Sequence, residues 1–242
     1  PHASTFNVNP IQLHLSEGGS STLLTVHNTS DEEIRFQLTT YAWSQSDDGK
    51  VELGPTRDII FFPRIMKLEP GAKRKVRIGM AKSAMQPQDE ASSESTPVER
   101  TYRIFVEELP SRKTKAAAEQ VQVLTRMSIP IFIAPPKQMV KLTMGKASVH
   151  DGRFRFDVRN DGTVHTMLKS VKATAVSKGN KPLFSRDLAG WYLLASDVRT
   201  FEVEIPRSLC GKISHFEVMS ASDGESEISL RYDVPSGACA SQ

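Results

Sequence analysis

The residues able to do chemistry are scattered along this 242-residue chain rather than gathered. The six histidines, His2, His14, His27, His150, His165 and His215, form no i,i+2 or i,i+4 pair of the kind that collects metal ligands, so no metal is expected. No P-loop, GxGxxG, GxSxG or HExxH stretch occurs, which leaves no phosphate cradle, activated nucleophile or hydrolytic centre to place. Neither an enzyme nor a cofactor is expected. Asp31-Glu32-Glu33 and Asp47-Asp48 stand in turns, where solvated acids are the simpler reading. Asn28-Thr29-Ser30 fits an N-glycosylation sequon, a weak signal in isolation. Lys73-Arg74-Lys75 with Arg77 is the densest basic cluster, but no aromatic residues interleave with it. It therefore reads as a solvated strand edge, and no nucleic-acid partner is expected. The two cysteines, Cys210 and Cys239, both fall in the C-terminal half. An even, minimal count suits one disulfide in an oxidising compartment, against the alternative of two unpaired thiols. A bridge closing that loop would stabilise by about 3–4 kcal/mol in the chain-entropy model.

The composition around these residues is that of a soluble globular protein. Hydrophobic residues make up 38% and charged residues 24%, with a mean hydropathy of −0.34. Such a balance belongs to neither a disordered nor a membrane-embedded chain. The longest apolar run, Ile129 to Pro136, falls far short of the roughly 18–20 residues of a spanning helix, so no membrane insertion is expected. The net charge of +3 is too mild to argue for nucleic acid. The length allows one or two domains, each able to bury a real core. The chain opens Pro1-His2-Ala3-Ser4-Thr5. A cleaved signal peptide would leave such a start, as would a trimmed chain; the first is the expectation.

The elements that must position any site are strands. Phe6 to Asn9, Ile11 to Leu15, Leu23 to Val26 and Ile34 to Trp43 alternate with period two. Asp47-Asp48-Gly49-Lys50 marks a hairpin turn, and Glu69-Pro70-Gly71 turns the chain into Lys75 to Ile78. Ile59 to Phe62, Thr101 to Val106 and the long run from Val121 to Ile133 complete about seven strands, the rhythm of an immunoglobulin-like sandwich. Residues 83–98 are rich in Ser, Glu and Pro and read as a surface loop, as do residues 111–120, where Lys115 to Glu119 offers at most one helical turn. Pro135-Pro136-Lys137 reads as a hinge. Beyond it the rhythm restarts at Val140 to Thr143, Arg153 to Val158, Val171 to Val176, Arg199 to Ile205, His215 to Met219 and Ile228 to Val234. The expected fold is all-β: two immunoglobulin-like β-sandwich domains, 1–136 and 137–242, joined by a short proline-containing hinge.

The stretch from Ile65 to Ile78, IMKLEPGAKRKVRI, closely resembles the signature of the periplasmic pilus chaperones of the chaperone–usher pathway, the PapD-like family. Thr101 to Pro110, TYRIFVEELP, resembles that family's sixth strand, and Leu124 to Ile133, LTRMSIPIFI, its seventh. The Ser-Ile-Pro-Ile-Phe-Ile form is closer to the archaic branch. Motif order and spacing match over residues 6–136, whereas the second half matches in length and strand rhythm only.

The resemblance implies a periplasmic chaperone that binds, stabilises and delivers pilus or fimbrial (or spore-coat-like) subunits, with an outer-membrane usher as second partner. Subunits of this system are immunoglobulin-like sandwiches lacking their last strand, and the chaperone lends one of its own. The implied donor side chains are Val121, Val123, Leu124, Thr125 and Met127, on a strand reaching about 40 Å at roughly 3.3 Å per residue. The family also anchors the subunit's C-terminal carboxylate between its domains with two basic residues. Arg126 stands in the matching strand. Where much of the family has a basic residue on the first strand, this chain reads Pro10-Ile11-Gln12-Leu13-His14, with neither Arg nor Lys. Arg103 is the substitute that suits the archaic pattern, and whether Gln12 or His14 takes the usual first-strand place stays open. The alternatives are a tandem immunoglobulin-like structural or adhesion protein of the cell surface, and a β-sandwich enzyme or carbohydrate-binding protein. Against an adhesin, aromatic residues are only 7% of the chain. Against a self-complemented fibre subunit, residues 1–5 are too short for a free donor segment.

Overall fold

The computed structural model describes residues 5–16, 21–84, 96–110, 123–223, 227–235 and 237–238. Lys115 to Glu119, Val121 and Cys239 lie outside the described residues. Among the described residues strands dominate, relieved by the short 3-10 turns Lys82–Ala84 and Cys210–Lys212. No helix among the described residues is long and apolar enough to cross a membrane.

The chain divides into two units. The first takes Pro1–Trp43, Leu53–Ser95 and Arg100–Pro136; the second takes Ser44–Glu52, Thr96–Glu99 and Lys137–Gln242. The strands of the first half are β1 (Phe6–Asn9), β2 (Leu13–Ser16), β3 (Ser21–Asn28), β4 (Ile34–Gln45), β5 (Val51–Pro55), β6 (Ile59–Phe62), β7 (Ile65–Leu68), β8 (Lys73–Met80), β9 (Arg100–Leu109) and β10 (Arg126–Ala134). One sheet runs β1-β3-β8-β6; the other runs β2-β10-β9-β4-β5, with β7 also on β4. The facing sides of the two sheets meet in a core that includes Leu24, Phe36, Val76, Ile78, Ile104 and Ile131. In β8 the alternation that buries Val76, Ile78 and Met80 leaves Lys73, Lys75 and Arg77 in solvent, with Arg74 exposed at the strand's start. Gly71 takes a φ of +71° in the turn before β8, a conformation that costs glycine nothing.

The second unit holds β11 (Leu142–His150), β12 (Arg153–Asn160), β13 (Thr166–Ser177), β14 (Pro182–Leu188), β15 (Tyr192–Leu193), β16 (Val198–Glu204), β17 (Ile213–Ser222) and β18 (Glu227–Asp233). Three of these form the sheet β11-β12-β16, and the rest form β14-β13-β17-β18 with β15 on β13. Phe154 of one sheet stacks on Phe216 of the other at 4.0 Å between centroids. Cys210 is disulfide-bonded.

The asparagine of Asn28-Thr29-Ser30 is fully buried, which overturns the sequon reading. Its Nδ2 donates to the carbonyls of Glu32, Leu68 and Glu69 at 2.7, 3.0 and 3.1 Å, and its Oδ1 accepts the Ser30 N–H at 3.0 Å. A side chain so occupied is closed to any sugar-transferring enzyme.

Candidate functional site

The site begins with β10, whose two edges are treated differently. One edge pairs with β9 along its length, from Arg126 opposite Glu107 to Ile133 opposite Arg100. The other edge meets β2 in parallel over Ile131–Ala134 alone. From Arg126 to Pro130 that second edge has no strand partner among the described residues. An unpaired run of backbone N–H and C=O groups is a template for a foreign strand.

The side chains change character at the same point. Ile129, Ile131 and Ile133 are buried in the core, and Met127 packs half-buried against it. Thr125 is half-buried, while Val123 and Leu124 are exposed at 58% and 41%. Positions 123 and 125 share the parity of Met127 and the core residues but lie further out along the chain, with Val123 exposed and Thr125 half-buried. The sequence predicts a strand from Val121, whereas the strand begins at Arg126. Ahead of it, the Glu108 N–H bonds the Thr125 carbonyl at 3.0 Å, but the Thr125 N–H turns to the Glu108 carboxylate at 3.3 Å. The ladder with β9 ends on that side chain, and Val123 and Leu124 leave it with no β partner.

The outward face of the same sheet carries both candidate arginines. The register places Arg103 opposite Pro130 on one side and Tyr41 on the other, and Phe105 opposite Ser128 and Thr39. Arg126 therefore shares this face with Arg103 and Phe105. Arg103 is 6% exposed. Its guanidinium lies 3.9 Å over the Trp43 ring, and Nη1 donates to Ser128 Oγ at 3.1 Å. Trp43 continues into Phe132 at 5.9 Å, and the His14 ring stacks on Phe132 at 5.6 Å. Gln12 precedes β2, so of the two first-strand candidates His14 is the one placed within the strand.

Arg126 is exposed, with its guanidinium 3.9 Å over Phe105, which Tyr41 supports edge-on at 5.6 Å. Its side chain makes no ion pair or hydrogen bond among the described residues. A planar cation stacked on an aromatic face keeps its N–H fork for a planar anion such as a carboxylate. The two arginines are thus one face apart from the core, one buried and one open. Sequence reasoning singled out both as candidates, but not the rings Trp43, Tyr41 and Phe105 beside them. The available signal was the i,i+2 spacing of Tyr41 and Trp43 on a strand whose other face is apolar.

By contrast, an open hollow of about 520 Å³ in the second unit is lined by Asp47, Lys146, Asp157, Arg159 and Thr200. Thr200 Oγ1 already donates to Asp157 at 2.8 Å, and Arg159 Nε lies 3.5 Å from Asp161. Asp157, Arg159 and Thr200 are thus already engaged within their own chain.

Comparison with known proteins adds to this geometry. The family described as "Pili and flagellar-assembly chaperone, PapD N-terminal domain" matches residues 5–138. Among solved structures the chain is similar to a chain of the CsuC–CsuE chaperone–tip adhesion subunit pre-assembly complex from the archaic Csu pili of Acinetobacter baumannii. That match has 17% identity and a TM-score of 0.59, covering 94% of this chain and 98% of that one. It is similar also to a chain of the Salmonella enterica SafA pilin–SafB chaperone complex, at 15% identity and a TM-score of 0.56 over 97% and 98% of the two chains. The E. coli chaperone DraB matches at 16% identity and a TM-score of 0.54, over 96% and 100%. These likenesses speak for a shared two-domain β fold. No curated protein sequence is a significant match.

Proposed function

The chain belongs to the PapD-like pili-assembly chaperones, and from that premise we propose that it is a periplasmic chaperone that holds pilus or fimbrial subunits by lending them a strand. The observation that carries this reading is the open edge of β10, preceded by exposed Val123 and Leu124. A sandwich that lacks one strand exposes an apolar groove and an unpaired edge, and such edges aggregate. An extended segment added there supplies main-chain hydrogen bonds, while its alternate side chains fill the groove. The donor residues are Val121, Val123 and Thr125, with Met127 closing the row and Leu124 on the opposite side.

Arg126 meets the subunit's C-terminal carboxylate, and Arg103 adds a second positive charge on the same face. Handing the subunit to an outer-membrane usher completes the cycle. The assignment is to a family of chaperones, and no reaction is assigned to the chain.

The test is co-purification from a periplasmic extract, with the bound protein identified by mass spectrometry. The expected partner is a small β-rich protein with an apolar C-terminal strand. A side chain of valine's size gains about 1.5–3 kcal/mol on full burial. The double change Val121→Glu/Val123→Glu should accordingly lose the partner while the chaperone stays folded. Unchanged co-purification in that variant would place the donor strand elsewhere.

A further inference from the structure

We propose that Phe105 is the positioning residue of the carboxylate anchor: its ring holds the Arg126 guanidinium away from Glu107 and keeps it available to a carboxylate from another chain. The inference rests on the reading of Arg126 as the anchor.

The register makes the arrangement unexpected. Arg126 of β10 stands directly opposite Glu107 of β9, on the same face of the sheet. Opposite charges across a strand pair attract one another, and a carboxylate offers the guanidinium two acceptors at once. The molecule contains its own control. In the second unit Arg155 of β12 stands directly opposite Glu202 of β16, and there the ion pair forms, with Nε 2.6 Å from the carboxylate. Arg153 joins the same carboxylate at 2.5 Å. Both arginine–glutamate pairs face solvent from paired strands, yet only one closes.

The difference lies two residues along the partner strand. On the face that Glu202 shares, the next positions of β16 are Thr200 and Glu204, and neither offers a ring. On the face that Glu107 shares, the next position of β9 is Phe105, 8% exposed and braced by Tyr41. The ring attracts the cation through its face and uses none of its N–H donors. Pairing with Glu107 would occupy up to two of the guanidinium's five donors and offset its charge, weakening the anchor. A smaller aliphatic residue at 105 would remove the platform and release Arg126 to its cross-strand neighbour.

The experiment follows the Arg126 side-chain Nε–H resonance by NMR in the full chain, with sodium acetate as the probe. In the unmodified protein the Arg126 side-chain protons should be shifted upfield by the Phe105 ring, and acetate should titrate the Nε–H signal. Phe105→Leu should abolish the ring shift and weaken acetate binding at Arg126 about fivefold, the scale of an exposed cation–π contact plus a competing ion pair. Phe105→Tyr should preserve both signals. Adding Glu107→Gln to Phe105→Leu should restore acetate binding without restoring the ring shift, an outcome that mere loss of packing does not produce. Glu107→Gln alone should change acetate binding less than about twofold, because the ring already holds the arginine off; this arm stands even if Phe105→Leu fails to fold. Unchanged acetate affinity in Phe105→Leu, no rescue by Glu107→Gln, or a fivefold gain from Glu107→Gln alone would each overturn the proposal while leaving the anchor intact. An Arg126 signal that acetate does not move in the unmodified protein would instead overturn the anchor reading, and the platform with it.

Discussion

In the first unit β3 ends on Asn28, and in the second β12 ends on Asn160; the two asparagines share a set of four hydrogen bonds, and Asn28 Oδ1 accepts a fifth from the Ser30 hydroxyl at 2.7 Å. Asn160 Nδ2 donates to the carbonyls of Val164, Leu193 and Leu194 at 2.9, 3.2 and 3.1 Å, and Oδ1 accepts the Gly162 N–H at 3.0 Å. For Asn28 the equivalents are Glu32, Leu68, Glu69 and Ser30, with the same i+4 and i+2 offsets. Each corner carries the chain from one sheet to the other, from β3 to β4 and from β12 to β13. The framework is therefore common to both sandwiches, and function must lie in what differs.

The arginines show that difference. Arg153, Arg155, Arg159 and Arg231 of the second unit are matched by Glu202, Asp161 and Asp233. Arg103 and Arg126 of the first unit lie on aromatic rings at 3.9 Å, closer than Arg186 over Phe184 and Arg199 over Phe201 in the second, at 5.2 and 4.7 Å. Charges closed on their own chain solubilise a surface, whereas the exposed guanidinium of Arg126, held on its ring, is placed to serve another molecule.

The largest effect is expected at the corners that the units share. Removing either amide strands buried carbonyls at about 1–3 kcal/mol each, so Asn28→Ala and Asn160→Ala should each cost about 4 kcal/mol. Denaturant titration checks this, and a large loss from only one variant would break the equivalence. A somewhat smaller effect separates the units. Cys210 is disulfide-bonded, and Cys239 is the only other cysteine in the chain. A non-reducing peptide map should yield a 210–239 linked pair, and reduction should destabilise the second unit by about 3–4 kcal/mol while sparing the first. Two freely alkylatable thiols in the native protein would contradict this.

The smallest effect lies at the closed ion pairs. Glu202 has its carboxyl held below the usual range by the hydrogen bond from Arg155, with Arg153 adding attraction. A depressed carboxyl contributes stability above its unfolded value, and that contribution is lost as pH falls through the folded one. Glu202→Gln should thus lower the melting temperature slightly at neutral pH, by less than about 1 kcal/mol in stability, and not at all in strong acid. A shift that persists in strong acid would point to packing instead.

How far the sequence revealed these features follows from what each depends on. Period-two alternation marked strands such as β4, β8 and β12 because one face is buried and the other wet. β14 went unread because Pro182–Leu188 is an edge strand with little buried, and β15 because two residues carry no period. The start of β10 was misplaced because alternation reports side-chain parity, and Val123 has the right parity without a strand partner. Arg103 and Arg126 were legible as charges in apolar strands. Their platforms were not, because Trp43 reaches Arg103 from another strand, a neighbour set by sheet order. The structural role of Asn28 was not legible because its acceptors include residues 68 and 69, far along the chain.

Arg126 stands exposed on Phe105 in the free protein, and the proposed function has it meet a carboxylate of the subunit. Arg126→Ala is the most direct test of that role, read simultaneously as subunit capture and as the melting temperature of the free chaperone. Loss of one member of a charge pair that is buried on binding typically costs about 3–5 kcal/mol, which weakens capture by more than about a hundredfold. The melting temperature should hardly move, since the side chain is exposed and makes no ion pair among the described residues. A subunit extended by a C-terminal tag should bind the unmodified chaperone about as poorly as the native subunit binds the variant. Normal capture by Arg126→Ala, or a variant that no longer folds, would show the arginine to be structural and place the anchor elsewhere.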